Sequence, residues 1–204
     1  MKSSPKPRGR PKTLNRAQVL ECAMMQYWRK GPAEVSINDI CKLTNHSKPG
    51  IYREFGSDDG LKMAALKSYK ALAIDPFLEI FTSKQGLKTT LEEAVCFLMQ
   101  DREALNLPKG CLFVAMRAQR DRLGQRTLET LEHVRQYFLQ ALGEWVDAIK
   151  RSGEFQSAIA SRIITHHIDG LHAQAMRMQR ENAPAAEIEQ TLNYGFATIF
   201  GRNG

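Results

Sequence analysis

The sequence predicts an all-α fold of about nine helices, with an N-terminal three-helix helix-turn-helix domain followed by a C-terminal helical bundle domain. Three observations predict it. Apolar residues recur with the helical period along almost the whole chain. Strand signals are nearly absent: there is no long alternating run and no Asn-Gly or Asp-Gly hairpin. Short breaks rich in Gly, Pro and Ser separate the periodic stretches. At 204 residues, 43% apolar and 25% charged, the chain can bury a core without disulfides or metal.

The elements follow in order. Leu20, Ala23, Met24, Tyr27 and Trp28 fall on one face of a first helix over about 15–30, which Gly31-Pro32 stops. Ser36 caps a short second helix, with Asp39 at the capping-box position and Ile37, Ile40 and Cys41 on one face. Thr44-Asn45-His46 is a turn, and Asn45 tolerates the positive φ it needs. Ser47 caps a third short helix; Pro49 sits in its first turn, where amides lack intrahelical partners. Phe55-Gly56-Ser57 ends it and caps a fourth, which Pro76 interrupts or kinks. Further helices are expected near 87–105, 111–122, 125–151, 156–182 and 185–200.

Charge and composition narrow the function. Of 29 basic and 22 acidic residues, Lys2, Lys6, Arg8, Arg10, Lys12 and Arg16 crowd the first sixteen positions with no acid among them. This is a basic arm on a nearly neutral body. No stretch approaches a membrane span, and the N-terminal stretch lacks the apolar core of a secretory signal. Cys22, Cys41, Cys96 and Cys111 form no C-x-x-C, which argues for a reduced, cytoplasmic protein and against a zinc ribbon. No Gly-rich phosphate loop, G-x-S-x-G or H-E-x-x-H occurs, so neither enzyme activity nor a cofactor is expected.

Residues 36–55 read as two helices joined by a tight turn, an arrangement that offers the second helix to a DNA major groove. Ile37, Ile40, Ile51 and Phe55 lock the pair together. Ser47, Lys48, Pro49, Gly50 and Tyr52 lie on or near the exposed first turns. Lys48 suits a guanine edge or a phosphate, Tyr52 a phosphate oxygen, and Gly50 lets backbone come close. Ser36 offers a hydroxyl and free amides to a phosphate. Periodicity alone fits an αα-corner of a helical bundle equally well.

The segment from Gly9 to Leu66 resembles the N-terminal domain of the TetR family of bacterial repressors. The matching marks are the Gly-Arg-Pro arm, Arg16 with Val19, Leu20 and Ala23, the Gly31 stop, Ser36 with Ile40, and Ser47-Lys48-x-x-Ile51-Tyr52-x-x-Phe55. A fourth helix opening at Ser57 and including Leu61 completes them. Two departures stand out. Thr44-Asn45-His46 replaces the usual Ala-Gly-(Val/Ile) but keeps the turn chemistry. Asp58-Asp59-Gly60 replaces a segment that usually carries Lys and often Glu, leaving Lys62 as the phosphate candidate there. The resemblance implies a homodimer on double-stranded DNA with contacts at Ser36, Ser47, Lys48, Pro49, Gly50, Tyr52 and the start of the fourth helix. It also implies a helical C-terminal domain that takes a small-molecule effector and dimerises through its last two helices.

Pro7-Arg8-Gly9-Arg10-Pro11-Lys12 also looks like the core of an AT-hook, with Arg8, Arg10 and Lys12 suited to the minor groove or to phosphates. The alternative is a solubilising basic tail. In the C-terminal part, candidate pocket residues are Phe97, Met99, Cys111, Phe113, Met116, Tyr137, Trp145, His166 and His172, each of which also suits an ordinary core position. Cys111 at a helix N-terminus would gain thiolate character from the dipole, against the alternative of an inert buried thiol. His166, Asp169 and His172 make a metal site conceivable, but interface histidines explain them better and no metal is assigned. Gly170, Ala173, Gly195 and Ala197 are small enough for close helix approach.

The expected organisation is a basic arm (1–14), a helix-turn-helix domain (15–56) and a ligand-binding and dimerisation domain (57–204). The expected function is a ligand-responsive, sequence-specific repressor, cytoplasmic and nucleoid-associated, acting as a homodimer on a palindromic operator. Its rivals are a constitutive architectural DNA-binding protein and an enzyme using Cys111 with His166 or His172.

Overall fold

A computed structural model describes residues 14–83 and 85–201. Arg8, Arg10 and Lys12 of the arm lie outside the described residues. Among the described residues the structure is all helical. The helices are α1 (Arg16–Lys30), α2 (Ile37–Thr44), α3 (Lys48–Phe55), α4 (Asp58–Tyr69) and α5 (Asp75–Thr82), then α6 (Leu87–Leu98), α7 (Leu112–Ala118), α8 (Gln125–Arg151), α9 (Ser161–Arg180) and α10 (Ala185–Phe200). A π turn over Lys70–Ile74 joins α4 to α5 without leaving helical backbone. Counting that rod once gives the nine helices expected.

The π turn is how the rod accommodates Pro76. Proline has no N–H for the carbonyl four residues back, and its ring clashes with that carbonyl. Widening the preceding turn shifts the pattern, so that the Asp75 amide donates to Lys70 O, five residues back.

Three boundaries move from their expected places. α6 stops at Leu98 rather than near 105. Beyond it Asp101 Oδ1 accepts from the amides of Glu103 and Ala104, a local turn that competes with helix, and Asn106 takes a positive φ of 54°. α7 ends at Ala118 and passes into a 3₁₀ turn over Arg120–Arg122, and α9 begins at Ser161 rather than 156.

α1, α2 and α3 form the head. α1 buries Val19, Ala23, Met24, Tyr27 and Trp28, packing chiefly on α4. α4 packs in turn on α8, and α8, α9 and α10 form the body with α5, α6 and α7 around them. The hydrophobic core runs unbroken across residue 56: Tyr27 and Trp28 of the head belong to the same cluster as Leu61, Leu66 and Tyr69 of α4 and Phe138 of α8. Movement of α4 against the body therefore cannot leave the head untouched.

Asp59 makes the second link between head and body. Its carboxylate accepts from the amides of Arg126 (2.9 Å) and Thr127 (3.1 Å) and from the Thr127 hydroxyl (2.5 Å), capping the N-terminus of α8. An anion at that end is favoured by the unpaired amides and by the helix dipole. The acidic pair that departs from the family pattern thus has a structural task. A third link is Gln119, whose Oε1 accepts the amide of Ala33 at 3.1 Å in the α1–α2 connection.

Candidate nucleic-acid interface and effector cavity

The reading surface is assembled by local chemistry. Ser36 and Asp39 form a reciprocal capping box that starts α2. α2 ends at Asn45, which adopts the left-handed conformation (φ 54°, ψ 39°), as the turn residue was expected to. Ser47 then caps α3, its Oγ accepting the Gly50 amide at 3.3 Å, with Pro49 in the first turn. Ile37, Ile40, Ile51 and Phe55 are buried and lock α2 to α3.

What remains outward is polar. Ser47, Lys48, Pro49 and Arg53 are exposed, and Gly50 and Tyr52 are half-buried. The Lys48 ammonium lies 5.4 Å from the Tyr52 ring centroid, one helical turn away, so the two candidate contacts move together. The Ser47 hydroxyl proton has no acceptor among the described residues and can be given to a phosphate. Arg53 is a candidate that sequence reasoning missed. Its signal was available: it stands four residues after Pro49, on the same helical face.

Two expected DNA contacts are engaged within the protein. Ser36 donates its hydroxyl (2.6 Å) and its amide (3.0 Å) to Asp39 Oδ2, so both protons are committed to a carboxylate, which would also repel a phosphate. The same bonds hold the Asp39 carboxyl below the usual carboxylate range. Lys62 donates to Asp58 Oδ2 at 2.7 Å, its side chain 11% exposed and tucked 6.0 Å from the Tyr27 ring. Its acidic neighbour at i−4 captures it.

The effector candidates scatter more widely. Phe97, Cys111 and His172 converge, with Tyr69, Phe77 and Phe138, on a small cavity of about 10 Å³ beneath the head. Such a volume holds about one water. The remaining candidates do not line it. Phe113 sits one ring behind, 6.1 Å from Phe138, and Met116 is buried elsewhere in the core. Trp145 packs edge-on to Phe81 and Phe200 at the far end of α8. Tyr137 is exposed under the Lys70 ammonium, and His166 is exposed on the outer side of α9. An opening of about 610 Å³ between α6 and α10 contains none of the candidates.

Cys111 is the N-cap of α7, where the Phe113 and Val114 amides favour its thiolate, yet burial outweighs them and pushes the thiol pKa up. Of the two readings of Cys111, burial favours the inert core thiol, which lies within reach of the Tyr69 hydroxyl. Among the described residues no group of three His, Cys, Asp or Glu side chains is placed to hold a metal. Asp169 is taken by Arg117, two parallel bonds of 2.7 and 3.1 Å.

His172 lies at the centre of an aromatic cage, 5.5 Å from Phe77 and 5.4 Å from Phe138. Burial drives its pKa down to about 4, against the opposing pull of Asp169 and with help from Arg117 and Arg102. Arg102 shares the cavity wall and is 7% exposed. It comes from the 99–110 loop, which sequence reasoning placed partly in a helix, so nothing marked it as interior. Gln179 pins both ends of that loop, bonding Leu98 O and the Gly110 amide. Gly110 is needed there: its φ is +78°, and a Cβ would stand 2.8 Å from Met176 O.

Trp28 connects cavity to head. Its indole N–H donates to Gly110 O at 3.0 Å, its ring meets Tyr69 edge-on at 4.8 Å, and the Arg102 guanidinium lies 5.8 Å over it. A tryptophan at the end of α1 thus touches two residues of the cavity wall, Tyr69 and Arg102, and the loop end at Gly110.

Comparison with known proteins places this geometry. Residues 19–65 match the family model of bacterial regulatory proteins, tetR family. The HTH-type transcriptional repressor ComR of Escherichia coli (strain K12) is 30% identical over 119 residues, 53% of this chain and 52% of that protein, so the chain spans about half the length of the curated relative it matches. Among solved structures, a TetR family regulator from Agrobacterium tumefaciens superposes with a TM-score of 0.78 at 16% identity, over 90% of this chain and 96% of that one. A cysteine mutant of the regulator CifR, complexed with 26-bp operator DNA, gives 0.77 at 17% identity over 92% and 97%. The reduced form of E. coli NemR gives 0.71 at 14% identity over 90% and 94%. These structural likenesses concern the fold. Within that shared fold, residues 19–65 are similar to the tetR family of bacterial regulatory proteins.

Proposed function

We propose that the protein is a ligand-responsive, sequence-specific transcriptional repressor that binds a palindromic operator as a homodimer. The observation that carries the reading is the head. A capped helix presents exposed Lys48, Pro49 and Arg53 with half-buried Gly50 and Tyr52, and its base is fastened to the body by Trp28, Asp59 and Gln119. CifR, whose fold this chain shares, is solved with its operator DNA. Two heads reading successive major grooves require half-sites about 34–36 Å apart.

The outer face of α9 and α10 supports a dimer. Tyr194 is 77% exposed there, and Ile163, His166 and His167 are exposed on α9. A Cβ on Gly170 would meet nothing within 4 Å, which leaves room for a second copy. An effector in the interior would then act through its differential affinity for two spacings of the heads.

Selection of the purified protein on random-sequence duplexes, repeated at two salt concentrations, tests the reading. A recovered palindrome with half-sites one turn apart is the expected result. Weak, salt-steep, A·T-biased binding would instead favour the architectural role, with the arm doing most of the binding.

A further inference from the structure

We infer that Arg126, at the start of α8 in the body, is a DNA-phosphate contact that extends the reading surface of α3. The inference rests on the DNA-binding reading and deepens it by adding a contact from outside the helix-turn-helix.

Position carries the first part of the argument. Pro49, Arg53 and Gly56 stand at i, i+4 and i+7, so they form one stripe along α3, and all three are exposed. Gly56 closes the helix with a φ of 81° and has no side chain to cover that end. The Arg126 guanidinium lies there instead. Its Nη1 is 3.5 Å from where a Cβ on Gly56 would stand and 3.2 Å from one on Gly60. The exposed side of α3, with Lys48 and Arg53, therefore ends in a third cation, supplied by a distant part of the chain.

That cation is available. Arg126 is exposed, and no carboxylate among the described residues forms an ion pair with it. The acids near the junction are engaged elsewhere. Glu54 pairs with Arg16 at 2.9 Å and Asp58 with Lys62 at 2.7 Å. Glu129, one turn along α8, accepts from Gln125. Asp59 turns both oxygens to the α8 N-terminus, where the amides of Arg126 and Thr127 and the Thr127 hydroxyl donate to them. Those bonds fix the backbone of Arg126 beside α4, while its side chain reaches past them to the end of α3.

Helix length explains why the partner is a phosphate rather than a base. Eight residues separate Lys48 from Gly56, about 12 Å of helix. The major groove is about 12 Å wide. A helix with its first turn at the bases then brings its last turn to the rim, where the sugar-phosphate backbone runs. A guanidinium at the rim can meet a phosphate through two parallel N–H···O bonds. Lys62 is held by Asp58 and cannot serve this end, so Arg126 takes that role. Because α8 carries it, any shift of α8 against α4 moves the guanidinium relative to α3. The body can thus alter DNA affinity without rearranging the helix-turn-helix.

The test measures duplex affinity against salt concentration for the full-length parent, Arg126→Gln, Arg126→Lys and Arg151→Gln. Arg151 is the exposed last residue of α8, so its variant makes the same charge change about 40 Å along the helix. Each protein is titrated with the selected palindrome and with a duplex of unrelated sequence, since a phosphate contact carries no sequence information. Arg126→Gln is expected to reduce the slope of log affinity against log salt by about 0.9 per protomer, and to weaken binding on the order of tenfold at about 0.15 M salt. Arg126→Lys should keep most of the slope and Arg151→Gln all of it. The thermal midpoint of Arg126→Gln should stay within about 2 °C of the parent. An unchanged salt slope in Arg126→Gln overturns the inference, and a lowered midpoint beside it would make Arg126 a structural cap on the α3 carbonyls. Equal losses in Arg126→Gln and Arg151→Gln overturn it too, because they would report net charge alone. If the parent selects no palindrome, the sequence-specific reading falls, and the slope on the unrelated duplex decides the inference by itself.

Discussion

The head and the cavity beneath it are built by opposite means. In the head the groups that start and flank α2, α3 and α4 find partners within a few residues: Ser36 with Asp39, Ser47 with the Gly50 amide, Lys62 with Asp58. In the cavity two buried polar groups, Arg102 Nε and His172 Nδ1, find none. The capping bonds of the head are made between near neighbours in sequence, whereas the cavity wall is assembled from distant elements. The difference suits the proposed function, in which a reading surface is preorganised and a switch has a state that binding can improve.

The largest expected effect falls where head meets body. Gly60 has ordinary backbone angles, but a Cβ on it would stand 1.9 Å from Phe55 O, so α4 can start beside the end of α3 only without a side chain. Gly60→Ala should cost about 3 kcal/mol or more and weaken DNA binding with it, as denaturant unfolding and duplex titration would reveal. An unchanged midpoint would mean the head is softer than the contrast requires.

The cavity should respond to pH where the head does not. His172 is neutral in the fold, with a pKa near 4 against 6.5 unfolded. Between those values the unfolded chain binds the extra proton, so stability rises with pH through that window. The contribution is fully present above pH 6.5 and is lost as pH falls towards 4. The stability difference between the parent and His172→Gln is expected to shrink by about 2–3 kcal/mol from pH 7 to pH 4. A difference that stays constant with pH would place the histidine in water.

Asp59→Ala should remove the α8 cap and cost about 1–2 kcal/mol, measured by thermal unfolding. If Asp59 serves only the joint, the substitution leaves the selected DNA sequence unchanged. The smallest effect belongs to Lys62→Ala, which should change duplex affinity less than threefold because Asp58 already holds that ammonium. A tenfold loss would return Lys62 to the DNA surface.

The same contrast explains what the sequence revealed. α1, α2, α3 and the Asn45 turn were legible because caps, stops and periodicity act over three or four residues. The rod through Pro76 was legible as a disturbed helix, though not as a π turn. The cavity was not legible. Its wall draws Tyr69 from α4, Phe97 from α6, Arg102 from a loop, Cys111 from the α7 cap and His172 from α9, and no local pattern links them. Phe97 and His172 were named on residue type and Cys111 also on its place at a helix N-terminus, and residue type also named Tyr137 and His166, which are exposed. Arg102 was missed because an arginine in a polar stretch reads as surface. Asp59 was visible only as a departure from the family pattern, and its role needed the start of α8 beside it.

The most direct measurement concerns the head. Duplex selection with the parent protein, repeated with Lys48, Pro49 and Arg53 all replaced by alanine, asks whether the exposed side of α3 reads sequence. All three side chains are exposed, so the triple variant is expected to fold and melt like the parent. The account expects the parent to recover a palindrome with half-sites one turn apart and the variant to recover none, retaining only weak, salt-dependent binding. Recovery of the same palindrome by both proteins would contradict it.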